Sequence, residues 1–191
     1  MARKRAAYHH GRLAEAIVAA ARELIADRGI HALSLRDVAR RLGVSHQAPY
    51  RHFADKRALL DAIAADGFRE LDASLRAVAA RHPAPGERVV ELGVAFVKFA
   101  RAHPAHYRVM FADPTRPAGV GHAAFELIRD ALRASQARGV FVGEPVRELA
   151  LASFAFVHGI AMLAIDGRLG ERRDRALIEH VVRGTIRNTR G

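Results

Sequence analysis

Residues 33–57 (LSLRDVARRLGVSHQAPYRHFADKR) constrain the fold of this chain more than any other stretch of its sequence. Ser34, followed three residues later by Asp37, predicts the start of a helix, and Gly43 predicts its end. Ser45 then predicts the start of a further short helix whose surface carries polar side chains. Two short helices joined by a tight glycine turn are a common way to place a helix in the major groove of DNA. The stretch therefore predicts a helix-turn-helix that contacts DNA.

Helical periodicity continues along the rest of the chain, and no convincing alternating strand pattern accompanies it. Pro49 falls in the first turn of the predicted third helix, where we expect it to fix the helix start rather than break the helix. We therefore predict an all-α fold of about nine helices. The predicted helices cover residues 11–27, 35–42, 46–53, 56–80, 87–102, 105–112, 120–138, 144–167 and 173–188.

Basic residues are concentrated at the N-terminal end of the chain. Residues 1–60 contain twelve Lys or Arg and five Asp or Glu, whereas the remaining residues contain nineteen and fifteen. An uneven positive charge of this kind favours a polyanionic partner for the N-terminal part. We therefore predict a three-helix, helix-turn-helix DNA-binding domain at residues 1–60. A larger helical domain for ligand binding and dimerisation is predicted at residues 61–191.

Several other classes of protein are disfavoured by the sequence. The chain has no cysteine and lacks a Gly-rich phosphate loop, a nucleophile elbow and a convincing acid–base pair, so we predict neither an enzyme nor a cofactor. His103 and His106 are three residues apart without an obvious third ligand, so we predict no metal site. The apolar stretch 149–165 favours a buried helix over a membrane span, and no signal peptide is evident, so we predict a cytoplasmic protein.

The N-terminal motifs resemble the TetR family of bacterial transcriptional regulators over about residues 11–60. The matching segments are residues 34–39 (SLRDVA), 43–45 (GVS), 50–53 (YRHF), Lys56 and residues 59–60 (LL). Pro49 is a departure, since the family more often has leucine or another apolar residue at that position. The resemblance implies that the third helix enters the major groove and that two copies bind half-sites one duplex turn apart.

The same resemblance implies which side chains face DNA. Gln47 is expected to bind an adenine edge through its amide, and His46 to reach either a base or a phosphate. The residues expected to contact phosphates are Arg36, Tyr50, Arg51, His52 and Lys56. Arg40 and Arg41 are interpreted as a solvated helix face, and Arg3, Lys4 and Arg5 as either a basic arm or a disordered tail. Tyr50 has packing as an alternative role. The predicted DNA-contacting residues are Arg36, Ser45, His46, Gln47, Tyr50, Arg51, His52 and Lys56.

The C-terminal half carries a second, more local resemblance. Residues 154–159 (FAFVHG) resemble the segment of a TetR subgroup with a Trp-x-x-x-His-Gly signature, with Phe154 in place of the tryptophan. Because the helix at 149–165 is apolar on all sides, one side is expected to pack within the domain and the other against a second subunit. The predicted dimer residues are Phe156, Ile160, Ile178, Val181, Val182 and Ile186.

Large side chains of the C-terminal part also predict a pocket for an apolar or amphipathic effector. The alternative role of these large side chains is core packing. For His158, the alternative to a ligand contact is a hydrogen bond to a neighbouring backbone group. The predicted pocket residues are Phe68, Phe96, Phe99, Tyr107, Met110, Phe111, Phe125, Phe154, His158 and Met162.

Together these features predict a homodimeric repressor that is released from a palindromic operator in double-stranded DNA by a small-molecule effector. Three alternatives remain open at this point. The protein could be a DNA-binding dimer without a ligand response, it could activate transcription, or its C-terminal part could catalyse a reaction or capture a protein partner.

Overall fold

The computed structural model describes residues 10–113, 122–140 and 145–169, together with Ala176 and His180. Within these ranges the chain is helical and contains no strand, as predicted. The helices are α1 (His10–Arg28), α2 (Leu35–Leu42), a 3₁₀ helix (Pro49–Arg51), α3 (Lys56–Arg81), α4 (Pro85–Ala102), α5 (Pro104–Met110), α6 (His122–Gln136) and α7 (Val146–Ile165).

The prediction of about nine helices is wrong for the described residues, which form seven α-helices and one short 3₁₀ helix. The predicted third helix, at residues 46–53, is the 3₁₀ helix Pro49–Arg51. The predicted ninth helix, at residues 173–188, lies outside the described residues except for Ala176 and His180, which are both helical.

The chain divides into two compact units. The first comprises Met1–Asp66 and Ala105–Pro114, and the second comprises Gly67–Pro104 and Thr115–Gly191. The core of the first unit includes the apolar stripe of α1 that the periodicity predicts, together with buried residues of α2 and α3. These residues are Ile17, Ala20, Ala21, Leu24, Ile25, Leu35, Val38, Ala39, Leu59 and Ile63.

In the second unit α4 packs against both α6 and α7, and α6 packs against α7. Helix α4 is the most buried helix described, because apolar residues occupy nearly every position from Val89 to Ala100. In the single chain α7 is buried on one side only, since Leu151 is 62% exposed and Leu163 43% exposed. One face of α7 packs within the unit, and the other presents apolar side chains at the surface.

Candidate nucleic-acid interface

Helix α2 begins and ends as the sequence predicts. The Ser34 hydroxyl accepts a hydrogen bond from the backbone N–H of Asp37 at 3.1 Å and donates one to the Asp37 carboxylate. The hydrogen bond from Ser34 lowers the pKa of Asp37, and the charge of Arg40 lowers it further. At the other end Gly43 adopts a left-handed conformation (φ +65°), and its N–H bonds to the carbonyl groups of the last turn. This cap turns the chain sharply toward Ser45.

Pro49 makes the segment after this turn a 3₁₀ helix. In an α-helix capped at Ser45, the first hydrogen bond would run from the N–H of residue 49 to the Ser45 carbonyl. Proline has no N–H, and the Ser45 carbonyl instead accepts from Ala48 at 2.9 Å, which is 3₁₀ spacing. The His52 N–H bonds with the same spacing to the Pro49 carbonyl at 3.0 Å, and the Phe53 N–H bonds to the same carbonyl with α-helical spacing at 2.9 Å. Pro49 lies at the start of this helix, as expected, but the helix is a 3₁₀ helix over Pro49–Arg51 and not the predicted helix at 46–53.

Burial of Pro49 turns the polar side chains of this segment outward. Pro49 is buried, whereas Tyr50 is 44% exposed. The other predicted DNA-contacting residues are mostly exposed as well, and His52 and Lys56 are half-buried. The exposed residues are Arg36, Ser45, His46, Gln47, Tyr50 and Arg51. Residues 3–5, the predicted basic arm, lie outside the described residues.

Five side chains line one open cleft of about 530 Å³ between α2 and the 3₁₀ helix. Four of them are predicted DNA-contacting residues, and the fifth is Arg40, which the sequence analysis assigned to a solvated face. The lining residues are Arg36, Arg40, His46, Gln47 and Tyr50. The helical spacing of Arg36 and Arg40, four residues apart, is the sequence signal that would have placed both on the same side of α2.

Lys56 lies at the start of α3 and already has a partner in the first unit. Its ammonium donates a hydrogen bond to the backbone carbonyl of His31 at 2.9 Å. Asp55 caps this helix, as predicted, because its carboxylate accepts from the N–H of Ala58 at 2.8 Å. Lys56 therefore ties the start of α3 to the loop between α1 and α2.

The predicted pocket residues separate into distinct groups. Four of them form an aromatic cluster in the second unit, where the Phe154 ring lies edge-on to Phe96 and Phe125, each at a centroid distance of 6.1 Å. The His158 ring lies against Phe154 at 5.4 Å. Phe96 is buried, and Phe125, Phe154 and His158 are half-buried. Phe154 is thus the centre of the cluster.

The remaining predicted pocket residues are divided between the two units. Tyr107, Met110 and Phe111 belong to the first unit, and Tyr107 stacks against Phe111 at 4.8 Å. Phe68 and Met162 are half-buried residues of the second unit.

Phe99 stacks against His103 at 4.8 Å and borders a groove of about 680 Å³ in the second unit. Charged groups of α3 and α4 also line this groove, including Glu70, Glu91 and Lys98. This groove was not predicted from the sequence, because its lining is spread over two helices.

His103 and His106, which the sequence analysis considered as metal ligands and set aside, fall in different units. Nδ1 of His103 lies 3.8 Å from a Glu70 carboxylate oxygen. His106 is buried, with Nε2 3.7 Å from a carboxylate oxygen of Asp66. Asp66 lies 3.8 Å from the guanidinium of Arg22. These contacts give both histidines an acidic neighbour within their own unit.

Acidic pH is expected to destabilise the second unit through His158. Burial lowers the pKa of this imidazole, so the folded state favours its neutral form. The stabilising contribution is complete above the pKa of the unfolded chain, about 6.5, and is lost as the pH falls through the lower folded-state pKa. We expect the decrease in melting temperature from about pH 7 to about pH 5 to be smaller in His158→Gln than in the wild type. The exposed His31→Gln is the control, and equal decreases in all three proteins would contradict this assignment.

Two of the predicted dimer residues are described, and both lie on α7. Phe156 and Ile160 are half-buried and flank an exposed face of small and apolar side chains, which we call the α7 face. Gly159 lies on this face, and in the described part of the chain no atom lies within 4 Å of a Cβ atom built on it. Ile178, Val181, Val182 and Ile186 lie outside the described residues. The α7 face consists of Leu151, Ala152, Ala155, Gly159 and Leu163.

Length and composition alone would allow α7 to cross a membrane. However, α7 packs against α4 and α6, and a core helix of a soluble domain packs in the same way.

The fold and this interface define a class of protein, namely a helical DNA-binding regulator. Comparison with protein families supports this class. The family described as bacterial regulatory proteins, tetR family, matches residues 17–63, and the tetracyclin repressor-like C-terminal domain matches residues 89–185, just over half of the chain. The chain therefore belongs to the TetR family, whose members are DNA-binding regulators rather than enzymes. The predictions of the family and of a non-enzymatic protein are confirmed.

Individual relatives agree with this assignment. The tetracycline repressor protein class C of Escherichia coli is 52% identical over 50 residues, which are 26% of this chain and 23% of that repressor. A protein of unknown function from Rhodococcus sp. RHA1 has 34% identity and a TM-score of 0.80, with 96% of each chain covered. A tetR-family regulatory protein from Rhodococcus RHA1, at 24% identity and a TM-score of 0.73 over 91% of this chain and 95% of that one, shares the fold.

Proposed function

We propose that this protein is a homodimeric transcriptional repressor that binds a palindromic operator and is released from it by a small apolar or amphipathic ligand. The observation that carries the proposal is the exposed row of polar side chains from Ser45 to Arg51, anchored from beneath by the buried Pro49. Residues 1–60 would form the DNA-binding domain and residues 61–191 the ligand-binding and dimerisation domain. The protein would act in the cytoplasm.

Base recognition is assigned to Gln47 and His46, which are exposed at the tip of the segment. The amide of Gln47 has one donor and one acceptor that match the major-groove edge of adenine. The remaining predicted contacts are assigned to phosphates, which fix the position of the protein on the duplex. These are Arg36, Ser45, Tyr50, Arg51, His52 and Lys56.

Lys56 has a double role in this proposal. One of the three N–H donors of its ammonium is used by the His31 carbonyl, and two remain for a phosphate. The contact with His31 would therefore hold the ammonium in place for a backbone phosphate at the start of α3.

A second copy of the chain is the proposed occupant of the α7 face. Leucine side chains at Leu151 and Leu163 would lose their exposure to water there, which favours association. A glycine within a helix costs about 0.5–1 kcal/mol relative to alanine, and no atom of the described residues lies within 4 Å of a Cβ built on Gly159. Close approach of a partner helix would explain both features. The two reading segments would then lie about 34–36 Å apart, one turn of DNA.

The aromatic cluster around Phe154 is the proposed wall of the effector site. Its rings provide an apolar surface, and His158 adds a polar group whose neutral form is favoured by burial. A ligand that binds better to a state with a different spacing of the reading segments would release the operator. Moving the protein from mostly bound to mostly released requires roughly 5 kcal/mol of differential ligand affinity.

Operator selection provides the test of DNA recognition. Wild-type protein should enrich a palindromic sequence from a pool of randomised duplexes. Gln47→Ala should lose discrimination at one base pair of each half-site, by about 1–3 kcal/mol, because the amide that matches one base is removed. Binding to a set of duplexes with each single base change in one half-site measures this loss.

Gln136→Ala is the matched control, because Gln136 lies in α6 of the second unit. It should keep the wild-type preference at all positions. An unchanged preference in Gln47→Ala would contradict the assignment of Gln47, and enrichment of no sequence by the wild type would contradict the proposed function itself.

A further inference from the structure

The three arginines of α2 have different surroundings. The guanidinium of Arg41 contacts a Glu23 carboxylate oxygen at 2.7 Å and lies 3.4 Å from a carboxylate oxygen of Asp27. Both acidic residues belong to α1, so the charge of Arg41 is balanced within the first unit. Arg41 therefore joins α1 to α2, a structural role that its sequence neighbours do not share.

Arg36 and Arg40, in contrast, both line the cleft between α2 and the 3₁₀ helix. Like charges four residues apart on a helix destabilise it, by roughly 0.2–0.5 kcal/mol, so this pair carries a small intrinsic cost. The lining of the cleft contains no carboxylate, and it adds the hydroxyl of Tyr50 and the ring of His46. Several N–H and O–H donors thus surround one open space beside the proposed reading segment.

Arg40 is also held in a defined position. Its side chain is 72% exposed, and its guanidinium bonds to the Asp37 carboxylate at 2.9 Å. That bond uses one of five N–H donors, so the others remain for a further acceptor. Asp37 is itself fixed by Ser34, and the cap of α2 therefore sets the position of Arg40.

We propose that this cleft binds one phosphate of the DNA backbone, through the guanidinium groups of Arg36 and Arg40 and the hydroxyl of Tyr50. The planar guanidinium group presents N–H donors in a fork that matches the oxygen atoms of a phosphate. The inference rests on the proposed function, since it needs a duplex across the reading segment. It adds Arg40 to the DNA-contacting residues and assigns Arg41, one residue away, to the scaffold.

The test compares Arg40→Gln with Arg41→Gln, which remove the same charge from adjacent positions. Binding is measured over a range of salt concentrations on two duplexes, one selected by the wild type and one of mixed sequence. Loss of one phosphate contact should reduce the slope of log K against log salt by about 0.9 in Arg40→Gln. The affinities of Arg40→Gln for both duplexes should fall by the same factor, because a phosphate carries no sequence information.

Arg41→Gln should keep the wild-type slope and show a lower melting temperature, because its two contacts with α1 are lost. Equal changes of slope in the two variants would mean a long-range charge effect and would overturn the inference, as would an unchanged slope in Arg40→Gln. A third outcome is that inorganic phosphate stabilises the wild type but not Arg40→Gln, while the two proteins have the same slope of log K against log salt. The cleft would then bind free anions rather than a DNA phosphate, which also overturns the inference. If the wild type prefers no duplex sequence, the proposed function fails, which is a different result.

Discussion

Gly159→Trp is expected to give a folded protein that no longer dimerises and no longer holds its operator. Among the described residues no atom lies within 4 Å of a Cβ at this position, and Gly159 is exposed, so the larger side chain is expected to project outward from α7. In the proposed dimer it would project from the α7 face into the partner and prevent close packing. Without dimerisation only one half-site binds at a time, and operator affinity should fall by about 10²–10⁴-fold. Sedimentation equilibrium gives the mass, and duplex titration gives the affinity.

Ala77→Trp is the matched control, since Ala77 is an exposed position of α3 in the second unit. It adds the same side chain outside the α7 face, so mass and operator affinity should both remain those of the wild type. Circular dichroism of the two variants should show the same helix content. A dimeric Gly159→Trp protein with wild-type operator affinity would rule out the α7 face as the interface.

Local sequence signals predicted the two ends of α2 correctly, because each end is decided by one or two residues. The Ser34–Asp37 pair caps α2, and Gly43 ends it in the left-handed conformation that glycine adopts without strain. The apolar stripe of α1 follows from the helical period in the same way. Such features depend on contacts within one turn of the chain, which a sequence displays directly.

Pro49 shows where this kind of local argument fails. A proline in the three positions after the N-cap is tolerated, because the N–H groups there have no partner within the helix. One residue later, a proline removes the first hydrogen bond of an α-helix. Residue 49 is the fourth after Ser45, where the first α-helical bond would form, so the segment adopts 3₁₀ spacing instead. Counting from the cap would have given this result from the sequence.

Only the tertiary contacts show which of the predicted pocket residues lie together. Ten large side chains at helical spacing have equivalent patterns in the sequence, yet Phe96, Phe125 and Phe154 meet in one cluster while Tyr107 belongs to the other unit. Arg40 and Arg41 present the same difficulty, since α1 brings two acidic residues to Arg41, whereas Arg40 pairs with Asp37 of its own helix. Contacts between distant segments, rather than residue type, separate these roles.

Phe154→Ala is expected to lower the free energy of unfolding by about 3 kcal/mol, at the lower end of the range for phenylalanine truncation because Phe154 is half-buried. The change removes the ring that contacts Phe96, Phe125 and His158 together, so three ring contacts disappear at once. Denaturant unfolding measures the loss. Phe154→Leu keeps most of the apolar volume and should cost less than about 1.5 kcal/mol.

The same two variants bear on the effector site. A compound that raises the melting temperature of the wild type does so by binding the folded state, and the increase reports its affinity. If the Phe154 cluster forms the wall of the effector site, a compound that releases the operator should raise the melting temperature of Phe154→Leu nearly as much as that of the wild type. In Phe154→Ala the increase should be much smaller, because the central ring of the wall is missing. Equal increases in melting temperature in all three proteins would mean that the effector binds elsewhere. The cluster would then be core packing alone, because a core residue contributes to stability without contributing to ligand affinity.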